Sequence, residues 1–536
     1  MSRVHSLSRF HASCLAILLF CIPLAAQQSP EAHPSASPEA QAPAPTPTMP
    51  TFKSSSNLVL VPTVVRDHHG KHLAGLTKDQ FLLEENGKPQ TISFFEEVHA
   101  SEGDSTPYPS PELGYSNLPF DNASRQSLVI IVLDLLSTKP IQREDGKQLM
   151  MKFLSNGLPR GQMVAELSIT SKGLQSIHPF SSDTKSLTEA LRNTPLGAET
   201  LLPGPNARNT SVPPNLVDNT MRANVEDTTI GAITEVAQAY AGIEGRKTMI
   251  FAAGNISELL SEDQIVSSSP VAGSLQRMWR SLIEANISVY PIGLMSWVAR
   301  PDERSARQEF SVNNFADATG ASRCVESNDL MGCLAEAVED SRSYYMLGFS
   351  VKPQDRKPGW RDLKVRVSVE HANVSARNGF YYGTPPVEQA KHPEELKALA
   401  SALPQSAVPM FVKVLGPPPN PASTPASAAG GKKTIAFRMT IPLSGLLIDP
   451  SSRAALDVEV GAIALTRDTK GPKEAAEFIQ PVRGNPKPEN LQAWARDGIK
   501  LQSALDLPPG SYDLRFFARD NNAGRIGTVV FPLEVK

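Results

Sequence analysis

The feature that most restricts the fold is an alternation running from Arg125 to Ser343. Continuous apolar segments take turns there with amphipathic ones. In "SLVIIVLD" no polar residue interrupts Leu128 to Leu133, as expected of a strand covered on both faces. "REDGKQLMMKFLSNGL" then predicts a helix, "MVAELSIT" a strand, "GLQSIHPF" its hairpin partner and "DTKSLTEALRN" a capped helix. A looser polar insert follows at Pro195 to Ala223. Beyond it, "TTIGAITEVAQAYAGI" predicts a helix, "RKTMIFAAG" a strand, "SLQRMWRSLIEAN" a helix and "ISVYPIGL" a strand. "VNNFADATGA" predicts a helix closed by Gly320, and "SNDLMGCLAEAVEDS" the last helix. Repeated β-α units imply a mostly parallel sheet with helices on both faces. Ligands bind such sheets beyond the carboxyl ends of the strands, near a switch in strand order. Three places fit: Asp134, Ser137 and Thr138 after the first strand; Thr228 and Thr229 before a helix; and Ala252 to Gly254 after another strand.

The flanks read differently. Thr51 to Val98 is strand-rich, with "RDHHGKH" a turn centred on Gly70 and a hairpin around Asn86-Gly87. After Ser343, "YYMLGFSV", "DLKVRVSVE" and "NVSARNGFYYG" are strands again. Neither flank alone has enough strands for a stable sandwich, so the two are expected to pair. The expected segments are 51–100, pairing with 344–383 around an α/β domain at 125–343, and a C-terminal β-sandwich at 390–536. The fold class is therefore α/β plus all-β: a Rossmann-like sheet inserted in or flanked by sandwich segments, with a second sandwich behind it.

The amino terminus reads as a secretory signal over residues 1–26. Arg3 and Arg9 precede the apolar run "CLAILLFCIPLAA", which is too short for a typical membrane span. Residues 27–50 are Pro/Ala/Ser-rich and form a tether. The expected location is secreted or periplasmic, in the cell envelope, with no membrane span once the signal is cleaved. Taking Arg3 and Arg9 from the 52 basic residues leaves 50 against 55 acids, a net charge of -5. With no basic stripe and interleaved aromatics, nucleic acid is not the expected partner. Cys14 and Cys21 lie in the signal, leaving Cys324 and Cys333, an even pair expected to form a disulfide in an oxidising compartment.

These pieces together resemble the von Willebrand factor type A (vWA) fold, and more narrowly the vWA-related secreted proteins described mainly from acidobacteria. The resemblance covers roughly Phe52 to Tyr382. It is carried by "NLVLVPTVVRDHHGKHLAGLTKDQFLLEENGKPQTISFF", "VLDLLST", "FADATGASRC" and "SRSYYMLGFSV…RDLKVRVSV…VSARNGFYYG". It implies a metal-ion-dependent adhesion site with an Asp-x-Ser-x-Ser loop, a Thr in a loop before a helix, and an Asp before Gly. Such oxygen ligands suit a hard cation, often Mg²⁺. Mapped onto this chain, Asp134 keeps the first Asp, Leu136 replaces the first Ser, and Thr138 stands at the second. Thr228 matches the loop Thr, and Ala253 replaces the final Asp. Two of the five positions thus lack an oxygen side chain. The degenerate set Asp134, Thr138 and Thr228 predicts no resident cofactor, or at most weak Mg²⁺. In the retired-site reading, Asp134 hydrogen-bonds loop N–H groups or the Thr228 hydroxyl.

Other motifs lead to bland readings. His68, His69 and His72 form an exposed turn with no ligand-spaced partner. "AAGGKKT" is a loop. Gly-x-Ser-x-Gly, His-Glu-x-x-His and the phosphate-loop signature are absent. The expected function is a non-enzymatic protein-binding or scaffold protein with an unidentified protein partner. The alternatives are a divalent-metal-dependent, adhesin-like binder and a secreted hydrolase.

Overall fold

The computed structural model describes residues 58–100, 114–119, 127–197, 214–254, 272–294, 315–322, 329–351, 359–382, 399, 401, 403–415, 431–450, 452–467 and 472–536. Side chains at 214–223 and 272 are not described. The expected signal and tether, and Cys324, lie outside the described residues. Lys53–Lys536 cluster as one unit.

The first strands are β1 (Leu58–Arg66), β2 (Phe81–Glu85), β3 (Lys88–Gln90) and β4 (Ile92–His99). They do not close a sheet by themselves. β1 pairs antiparallel with β11 (Ser343–Ser350) and with β13 (Asn373–Ala376). β2 pairs with β12 (Gly359–Val367), which also pairs with β14 (Gly379–Tyr382). Two four-stranded sheets result, ordered β13-β1-β11-β4 and β14-β12-β2-β3. Between them lies one core containing Val61, Val65, Leu83, Tyr345, Leu347 and Leu363. Alternation explains the placement: Tyr345, Leu347 and Phe349 face this core, while Tyr344 and Met346 join a small cluster with Val64 and Val98.

The α/β region between them holds β6 (Leu128–Asp134), α1 (Pro140–Asn156), β7 (Met163–Thr170), β8 (Gly173–Ser181), α2 (Thr184–Asn193) and α3 (Pro214–Tyr240). It continues with β9 (Lys247–Ala253), α4 (Ala272–Glu284), β10 (Ile287–Gly293) and α5 (Leu330–Arg342). The sheet order is β10-β9-β6-β7-β8, parallel except for β8. β6 is buried at every residue. Leu128, Ile130 and Val132 pack on one face with Ile233, Val236, Met278 and Leu282 of α3 and α4. Val129, Ile131 and Leu133 pack on the other with residues of α1, α2 and α5. Among the described residues no helix is long and apolar enough to cross a membrane.

The C-terminal strands are β15 (Phe411–Val414), β16 (Lys433–Ile441), β17 (Leu456–Thr466), β18 (Glu474–Gly484), β19 (Ile499–Leu507), β20 (Gly510–Asp520) and β21 (Arg525–Val535). They form sheets β19-β16-β15-β5 and β18-β17-β20-β21 around a shared core. The edge strand β5 (Tyr115–Ser116) comes from the segment just before the α/β region. That strand, β18 and the helix α6 (Pro488–Asp497) are not legible from sequence periodicity. α3 also begins earlier than expected, at Pro214, and takes in the last third of the polar insert.

Charged groups bind the α/β region to the sheet β13-β1-β11-β4. The Arg66 guanidinium of β1 pairs with Asp340 of α5 and, at 3.3 Å, with Glu336. Asp340 also accepts from the Tyr290 hydroxyl of β10, and Arg246 donates to that hydroxyl at 3.2 Å.

Candidate functional site

From β6 the chain runs outward to β7 and β8, then returns to β9 on the opposite side of β6. The switch in strand order therefore lies at the carboxyl end of β6, where Asp134 is the last residue. Asp134 stands in register with Ile169 of β7 and Ala253 of β9. The sequence pattern thus places Asp134 and Ala253 side by side, as a two-carboxylate site would require.

The Asp134 carboxylate is 2% exposed and turned into its own loop. Its Oδ1 accepts from the N–H groups of Leu136 and Ser137, both at 3.0 Å. Its Oδ2 accepts from the Ser137 hydroxyl at 2.6 Å and from the Thr229 hydroxyl at 3.5 Å. Short polar side chains commonly close loops by such local bonds. Burial pushes the carboxyl above its ordinary value, and the bonds from Ser137, Leu136 and Thr229 pull the other way. The Thr138 hydroxyl donates to the Asp134 carbonyl and accepts from the Gly254 N–H at 2.8 Å. Arg143 donates to the carbonyls of Thr138 at 2.8 Å and Leu196 at 2.9 Å. Its guanidinium charge interacts with Asp134. The end of β9 presses on this loop: a Cβ on Gly254 would lie 2.8 Å from Gln142 Oε1 and 3.0 Å from Thr138 Cα.

This donor set does not fit a hard divalent cation. Both Asp134 oxygens and the Thr138 hydroxyl are committed to protein groups. Leu136 packs its side chain against the core and gives the carboxylate only a backbone N–H. Ala253 is fully buried and offers no oxygen. Among the described residues no group of three or more His, Cys, Asp or Glu side chains is placed to hold a metal ion.

Two expectations need correction. Thr229, not Thr228, meets Asp134. The reason is the early start of α3: both threonines sit within the helix rather than in a loop before it, and helical rotation buries Thr229. Asp227 is exposed on the same helix. His72 does not share the exposure of His68 and His69; its side chain is 10% exposed. Cys333 is buried on α5. Cys324 lies outside the described residues, so their pairing remains a proposal.

Sequence reasoning did not single out Arg143 or Glu166. "REDGKQ" shows only the polar face of a helix. Glu166 sits on β7, fully buried, with both carboxylate oxygens lacking a hydrogen-bond partner. A glutamate inside an otherwise apolar strand was its one available signal.

No family model and no curated protein matches this chain. Solved structures supply weak neighbours. The N-terminal domain of TFIIH p34 aligns at 12% identity and a TM-score of 0.23, covering 39% of this chain and 97% of that domain. The SpRpn10 VWA domain aligns at 10% identity and a TM-score of 0.17, covering 35% of this chain and 95% of that domain.

Proposed function

We propose that this chain is a secreted or periplasmic, non-enzymatic protein that binds partner proteins through a vWA-like domain whose cation site is retired. One observation carries the reading. The single acidic residue left at the strand switch spends its acceptors on its own loop, beside an alanine in register. A carboxylate so engaged stabilises loop geometry instead of ligating an ion. What remains is a rim at the adjacent ends of β6 and β9. Ile141, 73% exposed at the start of α1, lies next to it in sequence. Rigid strand ends carrying loops are a common way to present a recognition surface. The resemblance of the motifs in 52–382 to vWA-related secreted proteins supports the same reading.

The test is affinity capture from the native cell envelope, with and without chelator, beside calorimetry with Mg²⁺, Mn²⁺ and Ca²⁺ on wild type and Asp134→Ala. The expected result is a protein partner retained equally with chelator, and no cation heat that depends on Asp134. Chelator-sensitive capture with heat lost in Asp134→Ala would sink the retired-site reading.

A further inference from the structure

The turn after β1 folds His72 back over the first sheet. Asp67 Oδ1 accepts from the N–H groups of His69 and Lys71, both at 2.9 Å, and Gly70 closes the turn at φ +82°. The Leu73 N–H then donates to the Val65 carbonyl at 2.9 Å. This lays the His72 ring parallel to Tyr345 of β11, centroids 5.6 Å apart, and edge-on to His99 of β4 at 6.1 Å.

Both ring nitrogens of His72 are buried without a hydrogen-bond partner. Its Nε2 lies 3.7 Å from Glu97 Oε1, beyond hydrogen-bonding distance, while His99 Nε2 lies 3.2 Å from the same oxygen. The two residues beside His72 also hold the next stretch of chain. Glu97 accepts from the Gly75 N–H at 3.0 and 3.1 Å. The Tyr345 hydroxyl accepts from the Leu76 N–H at 3.0 Å and donates to the Leu73 carbonyl at 2.7 Å.

Behind the turn is a cavity of about 530 Å³. Arg66, Lys71 and His72 line one wall, and Glu336, Glu339 and Asp340 of α5 the other. The titratable groups around the ring are thus Lys71 on its own turn, Arg66 on β1, Glu97 and His99 on β4, Tyr345 on β11, and the three acids of α5. The nearer acids are already engaged. Glu97 holds the Gly75 N–H and faces His99, while Asp340 and Glu336 pair with Arg66.

We propose that His72 is an acid-sensitive latch: protonating its ring releases residues 67–76 from the sheet and opens the cavity toward α5. A neutral imidazole survives burial at the cost of two unmade hydrogen bonds, one at its donor and one at its acceptor nitrogen. A charged one costs more, because the carboxylate beside it, Glu97 at 3.7 Å, is already shared with His99 and the Gly75 N–H. Burial holds His72 below its ordinary value, against the pull of Glu97. For a base so depressed, the closed turn keeps full stability above the ordinary value of about 6.5 and loses it as the pH falls below that. The loss levels off beneath the depressed value. The latch is therefore shut at neutral pH and loosens in mild acid, a change His alone among unperturbed side chains makes in this range.

The experiment is hydrogen exchange on the full chain at pH 7.5 and 5.0, corrected for intrinsic rates, with β6 amides as the internal reference. Wild type should lose protection at Leu73, Gly75 and Leu76 in acid, about tenfold for each unit by which the ring is held down. His72→Phe, which keeps the stack on Tyr345, should keep its protection at both pH values. His99→Ala should still open in acid. Unchanged protection in wild type, or an equal loss in His72→Phe, would overturn the latch. If His72→Phe does not fold, ¹³C-resolved titration of the wild-type histidines decides. His72 must titrate below the ordinary histidine value of about 6.5, with Tyr345 ring signals moving in step; titration at that value, or a static Tyr345, would overturn it.

Discussion

Glu166 lies in register with Ile131 of β6 on one side and His178 of β8 on the other, and burial pushes its carboxyl up to about 8. The ionised form is thus penalised in the fold and free in the unfolded chain. Stability should be greatest below the ordinary carboxylate range, fall as the pH rises through about 8, and level off above that. Glu166→Gln should flatten the dependence and gain a few kcal/mol over wild type at pH 8.5, with little gain at pH 4.5. Denaturant melts at the two pH values measure this; parallel curves for both proteins would refute it. Asp134 behaves oppositely under mutation because its carboxylate is fully bonded. Asp134→Ala strands two backbone N–H groups and two hydroxyls, and should cost about 2–4 kcal/mol in urea melts whether or not Mg²⁺ is present. The sequence named Asp134 and Thr138 as members of one loop. It could not choose Thr229 over Thr228, because that choice depends on helical phase.

At the scale of elements, the stretch from Leu403 to Met410 is a clamp. The Ser406 hydroxyl donates to the Ala239 carbonyl at the end of α3, 2.6 Å away, and accepts from Gly242 N–H at 3.0 Å. On the other side Gln405 and Thr528 of β21 exchange bonds of 2.8 and 2.9 Å. Both neighbours approach too closely for any side chain but hydrogen. A Cβ on Gly242 would lie 1.9 Å from the Ser406 carbonyl oxygen, and one on Gly527 1.9 Å from that of Val408. Gly242→Ala should therefore push the stretch off α3 and lower stability by about 2–4 kcal/mol, whereas Gly484→Ala, with open space around it, should leave the melt within about 0.5 kcal/mol. Equal melts for the two variants would contradict the clamp. Periodicity found most strands and helices because their buried faces repeat. It missed β18, whose side chains are largely exposed, and α6, which buries no residue fully. Edge elements with little core contact leave little pattern to read.

Across the whole molecule, a charge lock ties regions far apart in the chain. Asp340 is 1% exposed and is held by Arg66, Tyr290 and Ser322. Removing Arg66 leaves that carboxylate buried and uncompensated. Arg66→Ala should cost about 3–5 kcal/mol, and adding Asp340→Asn should recover part of the loss. A double-mutant cycle with purely additive losses would show the pair to be uncoupled. By itself the sequence determined the local grammar: apolar runs too continuous to face water, amphipathic segments between them, and an aspartate where the first central run stops. These follow from burial of nearby side chains, which periodicity records. Only the tertiary structure decided which strands share a sheet, that Tyr115 and Ser116 pair with β15, that His72 is covered while His68 is not, and that Asp134 turns inward. Most of those outcomes depend on contacts between residues far apart in the chain, and the turn of Asp134 on how its own loop packs beside α3 and β9, which periodicity does not encode.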